Sequence, residues 1–592
     1  MNNEVVLTED ALDHYNVYEE WLNDPSIDDA TKAELKSISH NEKEIEDRFF
    51  KDLEFGTGGL RGVLGAGTNR LNIYTIRKAT QGLANYILSS ETYKPGMGVA
   101  IAHDCRRMSP EFSTEAALVL NANGIKTYTF DSLRPTPLLS FAVRHLGCVS
   151  GIVITASHNP PEYNGYKVYW DDGGQCPYPR DEAIIQEVNK ITNFSMVKTM
   201  PKEEAITKGL FNIAPPEVDD EFIKNVKAQL LNPEIIPKSD IKIVFTPLHG
   251  AGNVGVQRAL KETGFKNVYV VKEQEAPDGN FPTVDYPNPE DKKAFEYAIK
   301  LANEKNADLV VATDPDCDRV GIAVKSVKKD DDYVFLNGNM TGALLLEYMC
   351  SQKQEKGVLP KNGAIISTIV STEMGRAIAE AYGLKYMEVL TGFKYIGEKI
   401  KEFETTGSHT YILGYEESYG YLAGTYARDK DAVVATLLVC EMAAYYHKKG
   451  LSLYDALLEL YVKYGMYQES IVSITLKGVD GLKDMQKIMT TLRNQPPKEI
   501  AKSAVIEVRD YLNKTVTHVP IGKVEATTLP ISDVLYYTME DNSWVCVRPS
   551  GTEPKIKLYF GTKLPSTTSK EEATAKLDLM ATDMKKIVEG IL

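Results

Sequence analysis

Short apolar segments alternate along this chain with polar or glycine-rich loops and helical stretches. The apolar segments lie at 98–102, 151–154, 241–245, 309–312 and 364–369. Their lengths are typical of buried strands, and strands that alternate with helices predict α/β domains with parallel or mixed sheets. Because sites in such folds form at the carboxyl ends of strands, the functional residues are expected in the loops that follow these segments.

The two ends of the chain differ from this pattern. Residues 8 to about 50 look helical and predict an N-terminal arm. Beyond about residue 465, the segments 544–547 and 555–560 alternate like antiparallel strands around a tight loop, which predicts a distinct α+β domain. The stretch 201–220 contains Pro215-Pro216 and little periodicity, so we expect a linker there. A length of 592 residues corresponds to about three to five domains.

Charge and cysteine usage exclude several classes of protein. The net charge of −15 disfavours nucleic acid and anionic membranes as partners, and it requires any phosphate site to be a local cluster of arginine and lysine. The seven cysteines are scattered without CxxC spacing, as expected for reduced thiols. No signal peptide and no apolar run of about 20 residues is evident. We therefore expect a cytoplasmic protein without membrane or nucleic-acid partners.

An acidic loop follows the apolar segment 309–312. Asp314, Asp316 and Asp318 occupy alternate positions, and Pro315 stiffens the loop between them. Carboxylate oxygens at this density suit a hard cation such as Mg²⁺. Arg319, directly after the acids, can bind a phosphate that the metal also contacts. A solvated acidic turn is the alternative interpretation of this short motif.

A serine loop, Thr155–Pro160, follows the segment 151–154. Ser157 on such a loop can serve as a nucleophile or phosphate carrier. His158 and Lys167 are available to transfer protons or to neutralise charge. Taken in isolation, the adjacent serine and histidine are better explained by a Ser/Asn-Pro turn with a structural histidine.

Four further loops carry residues suited to sugar phosphates. The loop 548–555 combines an arginine, two hydroxyls and free N–H groups beside a glycine, which is a good phosphate cradle. Glu416 and Ser418 lie on a glycine-bounded loop and can bind adjacent sugar hydroxyls. The remaining loops are the pair 391–394 and 428–431 and the glycine-rich run 55–62, which lacks P-loop spacing. Alone, each is compatible with an ordinary turn.

Together and in this order, the loops resemble those of the α-D-phosphohexomutase superfamily, from about residue 50 to the end. The chain is most similar to the phosphoglucomutase branch that includes long bacterial enzymes and phosphopentomutase-like relatives. The resemblance implies three related α/β domains with mixed sheets and a different α+β C-terminal domain around a central cleft. The implied division is an arm at 1–50 and domains at 51–215, 216–335, 336–465 and 466–592.

The resemblance also implies a role for each matched residue. Ser157 carries the phosphoserine and, with Asp314, Asp316 and Asp318, binds Mg²⁺. His158, Lys167 and Lys394 lie near the reacting groups, and which of them carries the proton stays open. The implied substrate-binding residues are Thr57, Arg61, Arg319, Thr391, Glu416, Ser418, Lys430, Arg548, Ser550, Gly551 and Thr552.

The implied activity is that of a phosphoglucomutase. It interconverts glucose 1-phosphate and glucose 6-phosphate through the phosphoserine and glucose 1,6-bisphosphate, with Mg²⁺ as cofactor and the bisphosphate as activator. The sequence Glu416-Glu417-Ser418 resembles that of glucose-type mutases, while phosphopentomutase or phosphomannomutase activity is the alternative. Small sugar phosphates are the expected partners, and the choice between a monomer and a homodimer is open.

Three other classes of protein compete with this interpretation. A phosphatase would use an aspartyl nucleophile such as Asp314. A Ser-His hydrolase needs an oriented base, and the adjacent Ser157 and His158 cannot readily face each other in that way. A non-catalytic sugar-phosphate sensor would not need the serine, the acids and Arg548 together.

One position departs from the commonest family pattern. Cys317 stands in the acidic loop where the wider superfamily often has glycine. A left-handed backbone would strain a cysteine, so we expect an ordinary backbone conformation here.

Overall fold

The computed structural model describes residues 9–55, 59–325, 333–476, 480–550 and 555–592. Three predicted site residues, Thr57, Gly551 and Thr552, lie outside these ranges. The chain forms two compact units. One comprises Met1–Ile322, Gly397–Thr406 and Gly420–Ala444, and the other comprises Ala323–Ile396, Gly407–Tyr419 and Tyr445–Leu592.

The N-terminal region of the first unit is a group of three helices, α1 (Glu9–Asn23), α2 (Asp29–Ser37) and α3 (Glu42–Phe49). Asp28 and Asn41 begin the second and third helices, because each side chain accepts a hydrogen bond from the main-chain N–H three residues on. These caps divide the predicted helical segment. The core of the group includes Tyr18, Trp21, Leu35, Ile45, Phe49 and Tyr74.

A six-stranded mixed sheet follows in the order β1-β5-β4-β2-β3-β6. Its elements are β1 (Gly59–Val63), α4 (Ile73–Ser89), β2 (Gly98–His103), α5 (Ser109–Ala122), β3 (Lys126–Thr129), α6 (Thr136–His145), β4 (Ser150–Ile154), β5 (Tyr163–Trp170), α7 (Arg180–Asn189), α8 (Lys202–Thr207) and β6 (Phe211–Ile213). Only β5 runs antiparallel to its neighbours. Every residue of β4 is buried, as its unbroken apolar sequence predicts for a central strand.

The linker expected at 201–220 is wrong. This stretch contains α8 and β6, and β6 pairs with β3 at the edge of the sheet. Phe211 is buried in the core of the same sheet. The burial of this ring and the parallel pairing of β6 order a segment whose local sequence suggests none.

The next region contains a second sheet in which β7 lies between β8 and β9 and runs parallel to both. Its elements are α9 (Glu217–Lys227), β7 (Lys242–Thr246), α10 (Gly252–Thr263), β8 (Asn267–Val270), α11 (Lys272–Glu275), α12 (Glu296–Lys305), β9 (Leu309–Thr313) and β10 (Val320–Lys325). All residues of β9 are buried, so the acidic loop begins at the end of a central strand.

The third α/β region continues the alternation. After β11 (Tyr333–Leu336), its elements are α13 (Gly338–Glu355), β12 (Gly363–Thr368), α14 (Met374–Ala381), β13 (Lys385–Val389), α15 (Phe393–Thr406), β14 (Thr410–Glu416), β15 (Gly420–Ala423), α16 (Ala432–Lys448) and α17 (Leu453–Tyr464). In the second unit, β12 lies between β13 and β14 and runs parallel to both.

The C-terminal region is different, because its main sheet is antiparallel with the order β16-β23-β22-β21-β18-β19-β20. Its elements are β16 (Met466–Thr475), α18 (Asp480–Asn494), β17 (Glu499–Ile500), β18 (Ser503–Asp510), β19 (Thr515–His518), β20 (Lys523–Ala526), β21 (Leu535–Met539), β22 (Trp544–Pro549), β23 (Lys555–Leu564) and α19 (Lys570–Ile591). Residues of α18 and α19 share one core with the sheet. Within the described ranges, no helix is long and apolar enough to cross a membrane.

Candidate active site

The acidic loop brings its three carboxylates together. Asp314, Asp316 and Asp318 are all buried, and one carboxylate oxygen from each lies within 4.8 Å of the others. The loop curls around the first acid, since the main-chain N–H groups of Asp318 and Arg319 both donate to Asp314 Oδ1 at 3.0 Å. The alternate spacing of the acids therefore produces a convergent cluster.

The expectation of an ordinary backbone at Cys317 is wrong. Its φ is 53°, in the left-handed region, and its N–H donates to the carbonyl of Asp314 at 2.9 Å. This tight turn points the carboxylates inward, and it costs about 1–2 kcal/mol for a residue with a Cβ atom. The thiol is fully buried, and burial raises the pKa of Cys317 well above its usual value.

The acidic cluster fits a divalent cation. Asp316 Oδ1 and Asp318 Oδ1 are buried and accept no hydrogen bond from the described part of the chain. Burial, together with the charges of Asp316 and Asp318, raises the pKa of Asp314 well above its ordinary value. A bound cation would satisfy these oxygens and relieve their repulsion, and a purely oxygen donor set suits Mg²⁺.

The serine loop meets the acidic loop directly. Ser157 is buried, and its Oγ donates to Asp314 Oδ2 at 2.8 Å, although 157 positions separate the two residues. The Ser157 φ of 52° is left-handed, so the loop turns sharply after β4. A phosphoryl group on Ser157 would therefore lie beside the candidate metal cluster.

The expectation that Ser157 and His158 cannot readily face each other is wrong, because His158 Nδ1 lies 3.3 Å from Ser157 Oγ. Burial, reinforced by the positive charges of Arg319 and Arg61, lowers the pKa of His158 well below its usual value. The imidazole is accordingly neutral at physiological pH, the form that can accept a proton.

Two lysines neutralise the acidic cluster. Lys167 on β5 places Nζ 2.8 Å from Asp316 Oδ2 and 3.4 Å from Asp318 Oδ2. Lys430 Nζ lies 3.1 Å from Asp318 Oδ2. Burial acts to lower the pKa of Lys167, but the charges of Asp316 and Asp318 outweigh it and raise that pKa above its ordinary value. Lys167 is therefore a charged ammonium, suited to binding anionic oxygens.

Two arginines complete the part of the candidate site that lies in the first unit. Arg319 forms an ion pair with Glu290, with Nη1 to Oε1 at 2.6 Å. Arg61 on β1 is exposed, and its Nη1 donates to Asn159 Oδ1 of the serine loop at 3.2 Å. Both guanidinium groups are thus held by neighbouring side chains near the serine and acidic loops.

Sequence reasoning missed Arg106, whose side chain forms hydrogen bonds with the main chain of the serine loop. This arginine is fully buried, and its guanidinium donates to four main-chain carbonyls, those of Ser157, Asn159, Pro160 and Tyr163. Asp104 lies beside it, with Oδ2 3.3 Å from Arg106 Nε, and also accepts from Thr155 Oγ1 at 2.6 Å. The available signal was an Asp-x-Arg sequence at the carboxyl end of β2.

Thr136 and Asp429 were also missed. Thr136 Oγ1 donates to Asp316 Oδ2 at 3.0 Å. Asp429 accepts from the hydroxyl of Tyr169 at 2.6 Å and from the main-chain N–H of Lys430 at 2.8 Å. These two bonds position the backbone from which the Lys430 side chain extends. Only the second had a local signal, because the segment 428–431 is rich in charge.

The second unit holds the predicted sugar-binding residues. Glu416, at the end of β14, is buried, and its Oε1 accepts from the N–H of Gly392 at 2.9 Å. This bond joins the loop of Thr391 to that of Glu416 and Ser418. Lys394 lies in the first turn of α15, with Nζ 5.3 Å from the centre of the Tyr395 ring.

The predicted phosphate loop also belongs to the second unit. Arg548, the penultimate residue of β22, pairs with Lys557 on β23, and the N–H of Ser550 donates to the carbonyl of Lys555 at 2.7 Å. The hairpin predicted at 544–560 is therefore present, with basic side chains at the base of its loop.

Comparison with known proteins agrees with this architecture. The descriptions "Phosphoglucomutase/phosphomannomutase, alpha/beta/alpha domain" I, II and III match residues 52–195, 220–328 and 337–464, and the corresponding C-terminal domain matches 493–575. The chain is 38% identical over 541 residues to phosphoglucomutase of Staphylococcus aureus strain N315, which covers 91% of this chain and 95% of that protein.

Solved structures share the fold. The phosphoglucomutase parafusin of Paramecium, in an open form, superposes with a TM-score of 0.65 at 18% identity, covering 91% of this chain and 95% of the other. A phosphoglucomutase/phosphomannomutase family protein of Burkholderia thailandensis gives a TM-score of 0.63 at 19% identity, with coverages of 90% and 97%. At these identities the likeness concerns the fold.

Proposed function

Because this chain belongs to the phosphoglucomutase/phosphomannomutase family, we propose that it is a mutase that interconverts glucose 1-phosphate and glucose 6-phosphate. The observation that carries the proposal is the 2.8 Å contact between Ser157 Oγ and Asp314 Oδ2. It joins a candidate phosphate carrier to a candidate cation site within one buried cluster. A phosphatase with an aspartyl nucleophile has no need for Ser157, and a Ser-His hydrolase has no need for the three acids.

In the proposed reaction, phosphorylated Ser157 donates its phosphoryl group to the free hydroxyl of a sugar monophosphate. The bond from phosphorus to Ser157 Oγ breaks, and a bond to the sugar oxygen forms. The neutral imidazole of His158 accepts the hydroxyl proton. The product is glucose 1,6-bisphosphate, which reorients and returns its other phosphoryl group to Ser157. The bisphosphate consequently also acts as an activator, because it phosphorylates an enzyme that has lost its phosphate.

Asp314, Asp316, Asp318 and the phosphorylated Ser157 would hold Mg²⁺. When bound, this ion supplies positive charge against the oxygens of the transferring phosphoryl group. Lys167 stays charged and binds the same oxygens, and this role is supported by its raised pKa. Arg61, Arg319 and Lys430 supply further positive charge for the substrate in a chain whose net charge is −15.

The remaining roles rest on the family resemblance. Thr57, Thr391, Glu416 and Ser418 bind the substrate. Arg548, Ser550, Gly551 and Thr552 bind a phosphate, and Lys394 lies near the reacting groups. We also propose domains at 51–215, 216–335, 336–465 and 466–592 after an arm at 1–50. A cytoplasmic location is supported by seven cysteines that are all free thiols.

The test is a coupled assay of glucose 1-phosphate, mannose 1-phosphate and ribose 1-phosphate, each with Mg²⁺ and a trace of glucose 1,6-bisphosphate. We expect the highest kcat/KM with glucose 1-phosphate. A higher value with the mannose or ribose compound would replace the proposed substrate by that of a phosphomannomutase or phosphopentomutase.

The Ser157→Ala variant tests the phosphate carrier. We expect no turnover, and intact mass spectrometry should find the mass of one phosphoryl group on the wild-type protein alone. Ser89→Ala, which removes an exposed hydroxyl at the end of α4, is the matched control and should keep both properties. Turnover by Ser157→Ala at the wild-type rate would refute the mechanism.

A further inference from the structure

A cavity with a volume of about 510 Å³ lies in the first unit, between α1 and the first α/β region. This volume is within the range of sites that bind small organic molecules. Its apolar walls include Val17, Trp21, Phe55, Leu60, Val188 and Phe194. None of these residues takes part in the proposed reaction.

The walls of the cavity are formed before any ligand binds. The Trp21 ring is 5% exposed and packs edge-on against Phe194, with ring centres 5.4 Å apart. Phe55 is 8% exposed and packs against Tyr166, with ring centres 6.3 Å apart. Trp21 belongs to the core of the helical arm and Phe55 to the core of the first sheet. Because two separate cores hold these rings, little ordering is needed on binding.

The charge around the cavity is acidic on balance, although Lys51 Nζ lies 3.1 Å from Glu54 Oε1. Four carboxylates line it, those of Glu20, Asp24, Asp52 and Glu54, against the single ammonium of Lys78. Lys78 Nζ is already 2.6 Å from Asp52 Oδ2. An anion such as a sugar phosphate would be repelled here, whereas a cation would be attracted by the carboxylates.

We propose that this cavity binds a small organic cation that joins an ammonium group to an aromatic ring or a short apolar chain. The ring fills the space between Trp21 and Phe55, and the ammonium group contacts the rim formed by Glu20 and Asp24. Apolar walls and an acidic rim on one preformed cavity select this class of ligand. Neutral hydrocarbons lack the charge, and inorganic cations lack the apolar surface.

The cavity adjoins the strands that carry the candidate active site. Leu60 lines the cavity, and the next residue on β1 is Arg61, which contacts the serine loop through Asn159. Leu60 also pairs with Tyr166 on β5, the residue before Lys167. An occupant therefore contacts one face of strands whose other residues reach Ser157 and the acids. The binding experiment below does not depend on the proposed function.

Isothermal titration with three indole compounds of similar shape tests the proposal. Tryptamine is the cation, tryptophol the neutral compound and indole-3-propionate the anion. We expect tryptamine to bind at least about tenfold more tightly than indole-3-propionate, and its affinity to fall with added salt. Equal affinities for the cation and the anion would overturn the proposal.

Variants locate the binding. Glu20→Gln with Asp24→Asn removes two rim charges and should weaken tryptamine binding by about two- to fivefold for each charge, without affecting tryptophol. Val17→Trp fills the cavity and should abolish binding of both compounds. Glu19→Gln, an exposed change on the same helix outside the cavity, is the matched control. Unchanged tryptamine binding in the Glu20/Asp24 and Val17 variants would also overturn the proposal.

Discussion

Replacing Arg106 by methionine should loosen the serine loop while leaving most of the protein folded. The guanidinium donates to the carbonyls of Ser157 at 2.6 Å, Pro160 at 2.8 Å and Tyr163 at 3.0 Å, and also to that of Asn159. Methionine has a similar length but no donor. All four carbonyls would lose a charge-assisted partner at once.

The free-energy cost of removing Arg106 comes from the lost ion pair with Asp104 as well as from the lost hydrogen bonds. Arg106 Nε and Asp104 Oδ2 are 3.3 Å apart in a fully buried environment, where two unit charges attract by about 5 kcal/mol at an effective dielectric constant of about 20. Removing one partner of such a pair typically costs about 3–5 kcal/mol. Burial already raises the pKa of Asp104, and losing the arginine would raise it further, so protonation of Asp104 limits the cost to the lower end of this range.

Hydrogen exchange followed by mass spectrometry measures the effect locally, which is needed because unfolding of a multidomain chain is not a two-state process. Peptides covering 155–163 should lose protection in Arg106→Met, while peptides from the second unit should not change. A double-mutant cycle that combines Arg106→Met with Asp104→Asn uses the protection free energies of these same peptides. It should give a coupling energy of about 0.5–3 kcal/mol between the two residues. kcat should fall by at least about tenfold with a smaller change in KM, since the loop carries the transferred group.

Two results would refute this reasoning. Unchanged protection of 155–163 in Arg106→Met would show that the loop is held by other contacts. Strict additivity of the Asp104 and Arg106 substitutions would show that the two buried charges do not stabilise each other. Loss of protection throughout the first unit would assign Arg106 a general structural role in place of a local one.

Three further predictions concern other parts of the chain. Asp316→Asn should weaken Mg²⁺ binding by at least about 10–100-fold in isothermal titration, because it removes a charged ligand oxygen, and unchanged affinity would remove the acid from the metal site. Burial raises the pKa of Glu469 to about 7 from an ordinary 4.5. The folded protein therefore binds this proton more tightly than the unfolded chain does, and the free energy of unfolding falls as the pH rises from about 4.5 to about 7. Glu469→Gln should therefore unfold at a higher urea concentration than the wild type near about pH 8 and at a similar one near about pH 5, and an equal difference at both would contradict the shift. Ser452→Ala should destabilise α17 by about 1 kcal/mol in hydrogen exchange of peptides from that helix, because Ser452 accepts from the N–H of Asp455 in a capping box, and Ser473→Ala on an exposed strand position is the control.

The positions of the strands and of the loops after them could be predicted from the sequence. β4 and β9 lie where their unbroken apolar segments indicated, and the serine and acidic loops begin at their ends. Such patterns are readable because a strand that is buried on both faces carries apolar residues at nearly every position. The hairpin around the Arg548 loop followed equally from its alternating pattern.

The errors have a common cause. Phe211 orders a segment that resembles a linker, and Cys317 adopts a left-handed φ that its own side chain disfavours. Burial of Phe211 in the core of the sheet outweighs the preference of its neighbours, and the turn that gathers the three acids imposes on Cys317 a conformation that costs about 1–2 kcal/mol. Arg106 was missed for a related reason, since its partners are main-chain carbonyls, and these leave no trace in the residue types of the loop it holds.

The local sequence determines which chemical groups this protein has. It places a hydroxyl at the end of one strand, three acids at alternate positions after another, and arginines and lysines in the loops of an otherwise acidic chain. Whether these groups meet depends on the folded backbone. Ser157 reaches Asp314 because the first unit brings together the carboxyl ends of β4 and β9, and Arg106 fixes the loop in between. Neighbouring residues determine periodicity and turn chemistry, but a contact across 157 positions is set by how whole sheets pack, and no short stretch of sequence encodes that packing.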